Sequence, residues 1–179
     1  MPTSKKTAAK APRKSATATP KSASAALTGK KAPAFELLDA DGKTVALKDL
    51  IGANNLVLYF YPKDMTPGCT IEACSFRDNI APLKKIGAKV VGISADSIDS
   101  HGKFIAKHDL NFPLLADPGN KVCQLYGVYQ MKSLYGRKFM GIERTTFIID
   151  RSGVVRRVFP KVKVKGHSEE VIAALKELS

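Results

Sequence analysis

Tyr59-Phe-Tyr-Pro62-Lys-Asp-Met-Thr66-Pro-Gly-Cys69-Thr-Ile-Glu-Ala-Cys74-Ser-Phe-Arg-Asp78 is the stretch on which the reading of this chain turns. It continues an apolar, β-prone run, Leu56-Val-Leu-Tyr-Phe60, short enough for a buried strand. Thr66-Pro67 then pairs a hydroxyl N-cap with proline at the first helical position, a helix-start signal. Counted from Thr66, Cys69 falls in the first turn, among unpaired backbone N–H groups at the positive end of the helix dipole. Both favour thiolate, the reactive form of cysteine. The stretch reads as a strand that delivers a reactive thiol to a helix N-terminus.

Cys74 lies five residues on. On a regular helix that spacing gives about 140° of rotation and about 7.5 Å of rise, so the two Cα atoms stand roughly 8–9 Å apart. A disulfide tolerates about 7 Å. Cys69 shares a core-facing side with Ala73, Phe76, Ile80 and Leu83, whereas Cys74 faces Asp78, Lys85 and solvent. A permanent bridge is disfavoured, and a switchable one needs the first turns to unwind. The bland alternative is that both are ordinary small helix residues.

The segment Tyr61-Pro62-x3-Thr66-x2-Cys69-Thr-x-Glu-Ala-Cys74-x-Phe-Arg-Asp78 resembles the active-site motif of the peroxiredoxins, and within them the bacterioferritin-comigratory or peroxiredoxin Q type. The resemblance extends over about residues 29–179. It implies a thioredoxin-like α/β fold, with a central mixed sheet flanked by helices and an N-terminal hairpin. It implies a thiol-dependent peroxidase acting on hydrogen peroxide and organic hydroperoxides, with Cys69 peroxidatic and Cys74 resolving. Recycling would come from thioredoxin or a similar dithiol, and no cofactor or metal is needed. Thr66 would point its hydroxyl into the peroxide site, or merely cap the helix. Pro62 would shield the site from water, or merely end the strand. The family's arginine, at the start of the strand after a long loop, maps onto Arg144 in Glu143-Arg144-Thr-Thr-Phe147. Without the resemblance, Arg144 reads as a surface group. Glu72 could fix that arginine or simply favour the helix N-terminus, and is not assigned a role.

The chain has 179 residues and a formal charge of +13. Eight cations and no acid precede Ala32, leaving 21 basic against 16 acidic residues in the rest. Residues 1–28, rich in Lys, Ala, Ser, Thr and Pro, cannot bury enough surface to offset ordering entropy and read as a disordered basic tail. Three uses are open for it: a solvated extension, a salt-sensitive and sequence-blind nucleic-acid contact, or a transit peptide, against which its prolines at 2, 12 and 20 argue. No stretch is long enough to span a membrane as a helix. A cytoplasmic location is expected, with DNA-associated or organellar alternatives through the tail. A monomer is favoured and a dimer is allowed.

Downstream, Phe35–Asp39 and Thr44–Leu47 flank the turn Asp39-Ala-Asp-Gly42. The cysteine helix is expected to reach about Ile80, with Pro82 ending or kinking it. Lys89–Ser94 and Phe112–Leu115 read as strands, and Ser97–Asp109 and Asn120–Tyr126 as helices. Arg144–Ile149 and Val154–Phe159 form a second hairpin, and Ser168 is expected to cap a final helix through Leu178. Cys123 reads as core filling, with a second resolving role as the alternative. His101, His108 and His167 are not at metal-ligand spacing to the cysteines, no phosphate-binding glycine loop is present, and Cys-x2-Cys is absent.

Overall fold

The computed structural model describes residues 23–178. The first of these form a 3-10 turn, Ala25–Leu27, that sits against the last strand of the sheet: Gly29 N–H donates to Val155 O at 2.7 Å, and Val155 N–H to Lys30 O at 2.9 Å. Within the segment read as tail, residues 23–28 hold this turn through local backbone bonds, Leu27 N–H to Ser24 O at 3.1 Å and Thr28 N–H to Ala25 O at 3.2 Å. The tail expectation for residues 1–22 lies outside the described residues.

Two antiparallel strands, β1 (Glu36–Asp39) and β2 (Thr44–Ala46), make the expected hairpin, and a single turn, α1 (Leu47–Leu50), follows. The strand β3 (Asn55–Phe60) leads into α2 (Pro67–Asp78) and then α3 (Ile80–Lys85). The helices separate at Asn79, with φ −103° and ψ 12°. This corrects the expected run to Ile80. Pro82 lies inside α3, and its ring would collide with the carbonyl four residues earlier, that of Asp78, if the helix continued unbroken. Next come β4 (Ala88–Ser94), α4 (Ile98–His108), β5 (Leu114–Ala116) and α5 (Lys121–Leu125). A hairpin of β6 (Tyr129–Leu134) and β7 (Arg137–Ile142) occupies the segment read as a long loop. The chain ends with β8 (Thr145–Ile149), β9 (Val155–Phe159) and α6 (His167–Glu177). Gly166, not Ser168, holds the N-cap position of α6, and Ser168 is buried inside its first turn.

Seven strands form one mixed sheet in the order β2-β1-β5-β4-β3-β8-β9, with β3, β4 and β5 parallel and their outer neighbours antiparallel. Helices cover both faces, giving the thioredoxin-like arrangement. That double cover explains why β3 is apolar throughout rather than alternating. Its Val57 and Tyr59 pack with Phe76, Leu83, Phe104, Val171 and Leu175 on one face. Leu56, Leu58 and Phe60 pack with Leu47, Val122, Tyr126 and Phe147 on the other. Cys69 belongs to the first face. The buried strand β3 therefore runs directly into the loop that starts the cysteine helix.

Candidate active site

Between β3 and α2 the chain makes a tight loop, Tyr61–Thr66, pinned from below. Asp64 is buried; its Oδ1 accepts from the Tyr61 hydroxyl at 2.6 Å, and its Oδ2 accepts from the Ser100 hydroxyl at 2.8 Å and stands 2.7 Å from His101 Nδ1. Its own N–H donates to Asp96 Oδ2 at 2.8 Å. These contacts lock the loop to β4 and α4 and hold Met65 at φ 64°, an unusual conformation for its type. Pro62 lies half-buried just past Tyr61. Thr66 occupies the N-cap position, but its hydroxyl does not cap. It donates instead to Lys63 O at 2.9 Å, closing the loop on itself.

Cys69 is 1 % exposed. Arg144, immediately before β8, reaches across the sheet end: its Nη2 donates to Cys69 Sγ at 3.3 Å and its Nη1 to Glu72 Oε2 at 2.9 Å. One planar guanidinium thus spans the thiol and a buried carboxylate, a geometry that lysine cannot copy. Gly68 gives it room, since a Cβ there would lie 3.1 Å from Arg144 Nη2, a crowded contact that the guanidinium would have to yield to by a few tenths of an ångström. A further tie, Val162 N–H to Arg144 O at 2.9 Å, fixes the arginine backbone.

Burial lifts Glu72 to about 7 against the pull of Arg144, and its Oε1 has no hydrogen-bond partner. Desolvation would lower the charge state of Arg144, but the charges of Glu72 and Cys69 more than offset it and raise its pKa. A cation is thus held against the sulfur over the whole working range of pH.

Cys69, Cys74 and Cys123 are all free thiols. Cys74 is half-buried in the same unbroken helix as Cys69, so helix geometry keeps them roughly 8–9 Å apart. Cys123 is buried on the other face of the sheet, and burial, followed by the Asp117 contact, pushes its thiol well up. It is not brought to the site. Of the sequence-chosen residues, Cys69 and Arg144 are in contact, Thr66 and Pro62 belong to the loop beneath them, and Cys74 stands one and a half turns away.

Glu72 was weighed as a partner for Arg144 but given no role, and the Asp64–His101 anchor and Gly68 were missed by the sequence reading. Glu72 had a legible signal, because three residues after Cys69 it shares that helix face. The Asp64–His101 anchor joins residues 37 apart, and Gly68 answers to an arginine 76 positions later; neither carries a local signal.

The AhpC/TSA family model matches residues 28–158. The peroxiredoxin Bcp of Bacillus subtilis is 48 % identical over 151 residues, covering 84 % of this chain and 96 % of that one. Two solved structures from Xanthomonas campestris superimpose with a TM-score of 0.76 over 80 % of this chain and 90 % of theirs: peroxiredoxin Q at 42 % identity, and the bacterioferritin comigratory protein at 41 %. With a cysteine at a helix N-terminus under an arginine from a distant strand, and relatives this close along most of its length, the chain belongs to the AhpC/TSA family, among the peroxiredoxins of the Bcp, or peroxiredoxin Q, type.

Proposed function

We propose that the chain reduces hydroperoxides through Cys69 and resolves the product through Cys74. The observation that carries this reading is the Arg144 guanidinium lying on Cys69 Sγ and Glu72 Oε2 together. The Xanthomonas campestris bacterioferritin comigratory protein is described through its alkyl peroxide reduction activity. In this chain the Cys69 thiolate attacks one peroxide oxygen. An S–O bond forms, the O–O bond breaks, and the leaving oxygen takes a proton. Arg144 offsets the negative charge shared by sulfur and oxygens during that transfer. Pro62 limits water at the site, and Thr66 lines it from the loop side. Helix α2 then unwinds, Cys74 attacks the sulfenic sulfur, and water leaves as the disulfide forms. A dithiol of the thioredoxin kind restores both thiols by exchange. Both cysteines come from one helix, so one chain completes the cycle, and the need for a dithiol fits a reducing compartment such as the cytoplasm.

The test is a peroxide titration of the reduced protein followed by mass mapping. A fast reaction with one equivalent, ending in a Cys69–Cys74 link, is expected. Oxidation no faster than that of a free thiol removes the enzymatic reading, and a Cys69–Cys123 or intermolecular link reassigns the second step.

A nucleic-acid contact is a second reading, favoured by eight cations without an acid in the first 31 residues. Retention on duplex DNA should fall steeply with salt and vanish when residues 1–28 are removed, with peroxide turnover kept.

A further inference from the structure

Half of the exposed large apolar side chains among the described residues lie on one hairpin, β6–β7. Its two strands form a sheet of their own, outside the seven-stranded one. Apolar groups gathered in this way on a surface mark a contact. We propose that the tip of this hairpin inserts into the surface of an anionic lipid bilayer, with its apolar side chains at the acyl boundary and its cations among the headgroups. This contact does not depend on the chemistry at Cys69.

The register decides which class of partner fits. Residues directly opposite one another share a face of an antiparallel pair. Met131 opposes Met140 on one face; on the other, Lys132 opposes Phe139 and Leu134 opposes Arg137. Both faces therefore carry exposed apolar groups, and Tyr135, 97 % exposed, continues them over the turn. A groove on another protein covers one face of a hairpin and leaves the other in water. Immersion at the headgroup boundary covers both faces and the tip together. Tyrosine suits that depth, with an apolar ring and a polar hydroxyl. The turn is a tight one, Tyr135 at φ 50° and Gly136 at φ 77°, which keeps the tip narrow.

The charges suit the same partner. Between Asp117 and Glu143 the chain has no acid, and Lys132, Arg137 and Lys138 flank the tip. From Arg151 to Ser168 it has none either. Lys161, from that second stretch, lines a cleft of about 490 Å³ with Leu134 and Phe139, and Lys163 and Lys165 are exposed beyond it. None of Arg137, Lys138, Lys161, Lys163 and Lys165 is in an ion pair among the described residues. Long cationic side chains lay their stems along apolar surface and hold the charge in the polar layer. Near an anionic leaflet each contributes roughly five-fold in affinity. A second copy of the chain would set like charges against each other. A nucleic acid would engage the cations and leave Met131, Leu134 and Met140 in water. The base of the hairpin runs through Glu143 into Arg144, so a docked chain carries its candidate active site at the root of the inserted segment.

The chain has no tryptophan, so Tyr135→Trp puts a single one at the tip. The full-length variant is mixed with vesicles of phosphatidylcholine, or of phosphatidylcholine with phosphatidylglycerol, each with and without brominated acyl chains. With the anionic vesicles the emission should shift to the blue and be quenched by the bromines. With the neutral ones the affinity should be at least about 10-fold weaker. In the same background, Leu134→Ser with Phe139→Ser should weaken binding about 100-fold. Arg137→Gln with Lys138→Gln should weaken it about 25-fold on anionic vesicles. The cations of residues 1–31 can bring the chain to anionic lipid by charge alone, but they give no quenching at residue 135. Sedimentation with anionic vesicles without a blue shift or bromine quenching therefore overturns the proposal. So does unchanged quenching in the Leu134→Ser, Phe139→Ser variant with native circular dichroism. A loss in that variant that appears on duplex DNA and not on vesicles overturns it too, and assigns the face to nucleic acid.

Discussion

Replacing Arg144 by methionine removes the cation that donates to the Cys69 sulfur, the atom proposed to react. The Nη2–Sγ contact is 3.3 Å, which at an effective dielectric near 20 corresponds to about 5 kcal/mol of attraction for a full thiolate. The guanidinium has already lost part of its hydration, its side chain being 16 % exposed, so some of that attraction is offset. What remains compares with the loss of one preorganised donor, about 2.7–4 kcal/mol or 10²–10³ in rate. Arg144→Met should therefore oxidise at least about 100-fold more slowly than wild type in a stopped-flow experiment with hydrogen peroxide at neutral pH. Arg144→Lys separates charge from shape. A single ammonium cannot reach Cys69 Sγ and Glu72 Oε2 at once, so it should recover less than half of the lost free energy. Both variants leave Glu72 with a weaker partner or none, and Glu72 then stays protonated to higher pH, which limits the cost to folding. A rate for Arg144→Met within about 10-fold of wild type, in a protein with native circular dichroism, would refute the role given to this contact.

The remaining predictions concern α2 and its supports. Ser168 holds α2 through the Ser75 hydroxyl and through Asn79 Nδ2 at 3.1 Å, so Ser168→Ala should lower stability by about 1 kcal/mol and speed disulfide formation relative to the first oxidation; an unchanged ratio of the two rates would remove α6 from control of the unwinding. Glu72 binds its proton more tightly in the folded state, up to about 7 against an ordinary 4.5. The folded protein therefore loses stability as pH rises from about 4.5 to 7, by up to about 3 kcal/mol. Glu72→Gln has no such titration, and urea midpoints at pH 5 and 7.5 should differ less in the variant than in wild type. Parallel pH dependence would place the burden on another group.

Why some of this was legible and some was not follows from the range over which each signal acts. Thr66-Pro67 marks a helix start wherever it occurs, and the apolar run of β3 reports only that both its faces are covered. Those are local statements, and the helix start, the strand and the position of Cys69 in the first turn follow from them. Arg144 is different. Nothing near residue 144 says that its side chain crosses to a helix 75 residues earlier, and only the likeness of the whole motif singled it out. The β6–β7 hairpin was lost because it lies outside the main sheet. Met131, Leu134, Phe139 and Met140 are exposed, so no one-sided apolar alternation marks its strands. Its turn was readable in principle: Tyr135 and Gly136 both have positive φ, the two-residue geometry in which glycine is favoured. Ser168 misled because serine suits an N-cap, whereas here its hydroxyl is drawn to Ser75 on a neighbouring helix.

On the proposed cycle the same helix must hold a reactive thiol in place and then let go of it, and its composition reconciles the two. From Pro67 to Cys74 the buried residues are Cys69, Glu72 and Ala73, two of them small, while Ile71 is 59 % exposed. Unwinding these turns withdraws little apolar surface from the core, at about 25 cal/mol per Å². The next core residue is Phe76, which stacks on Tyr59 at 5.0 Å between centroids, and beside it Ser75 and Asn79 are tied to α6. Unwinding that reaches Cys74 therefore meets a sharp rise in cost one or two residues later. The trigger is chemical. While Cys69 is a thiolate, Arg144 attracts it and keeps the first turn wound. In the proposed cycle that attraction is gone once the sulfur carries a neutral hydroxyl, so the oxidation that would call on Cys74 would also release the helix that keeps the two apart.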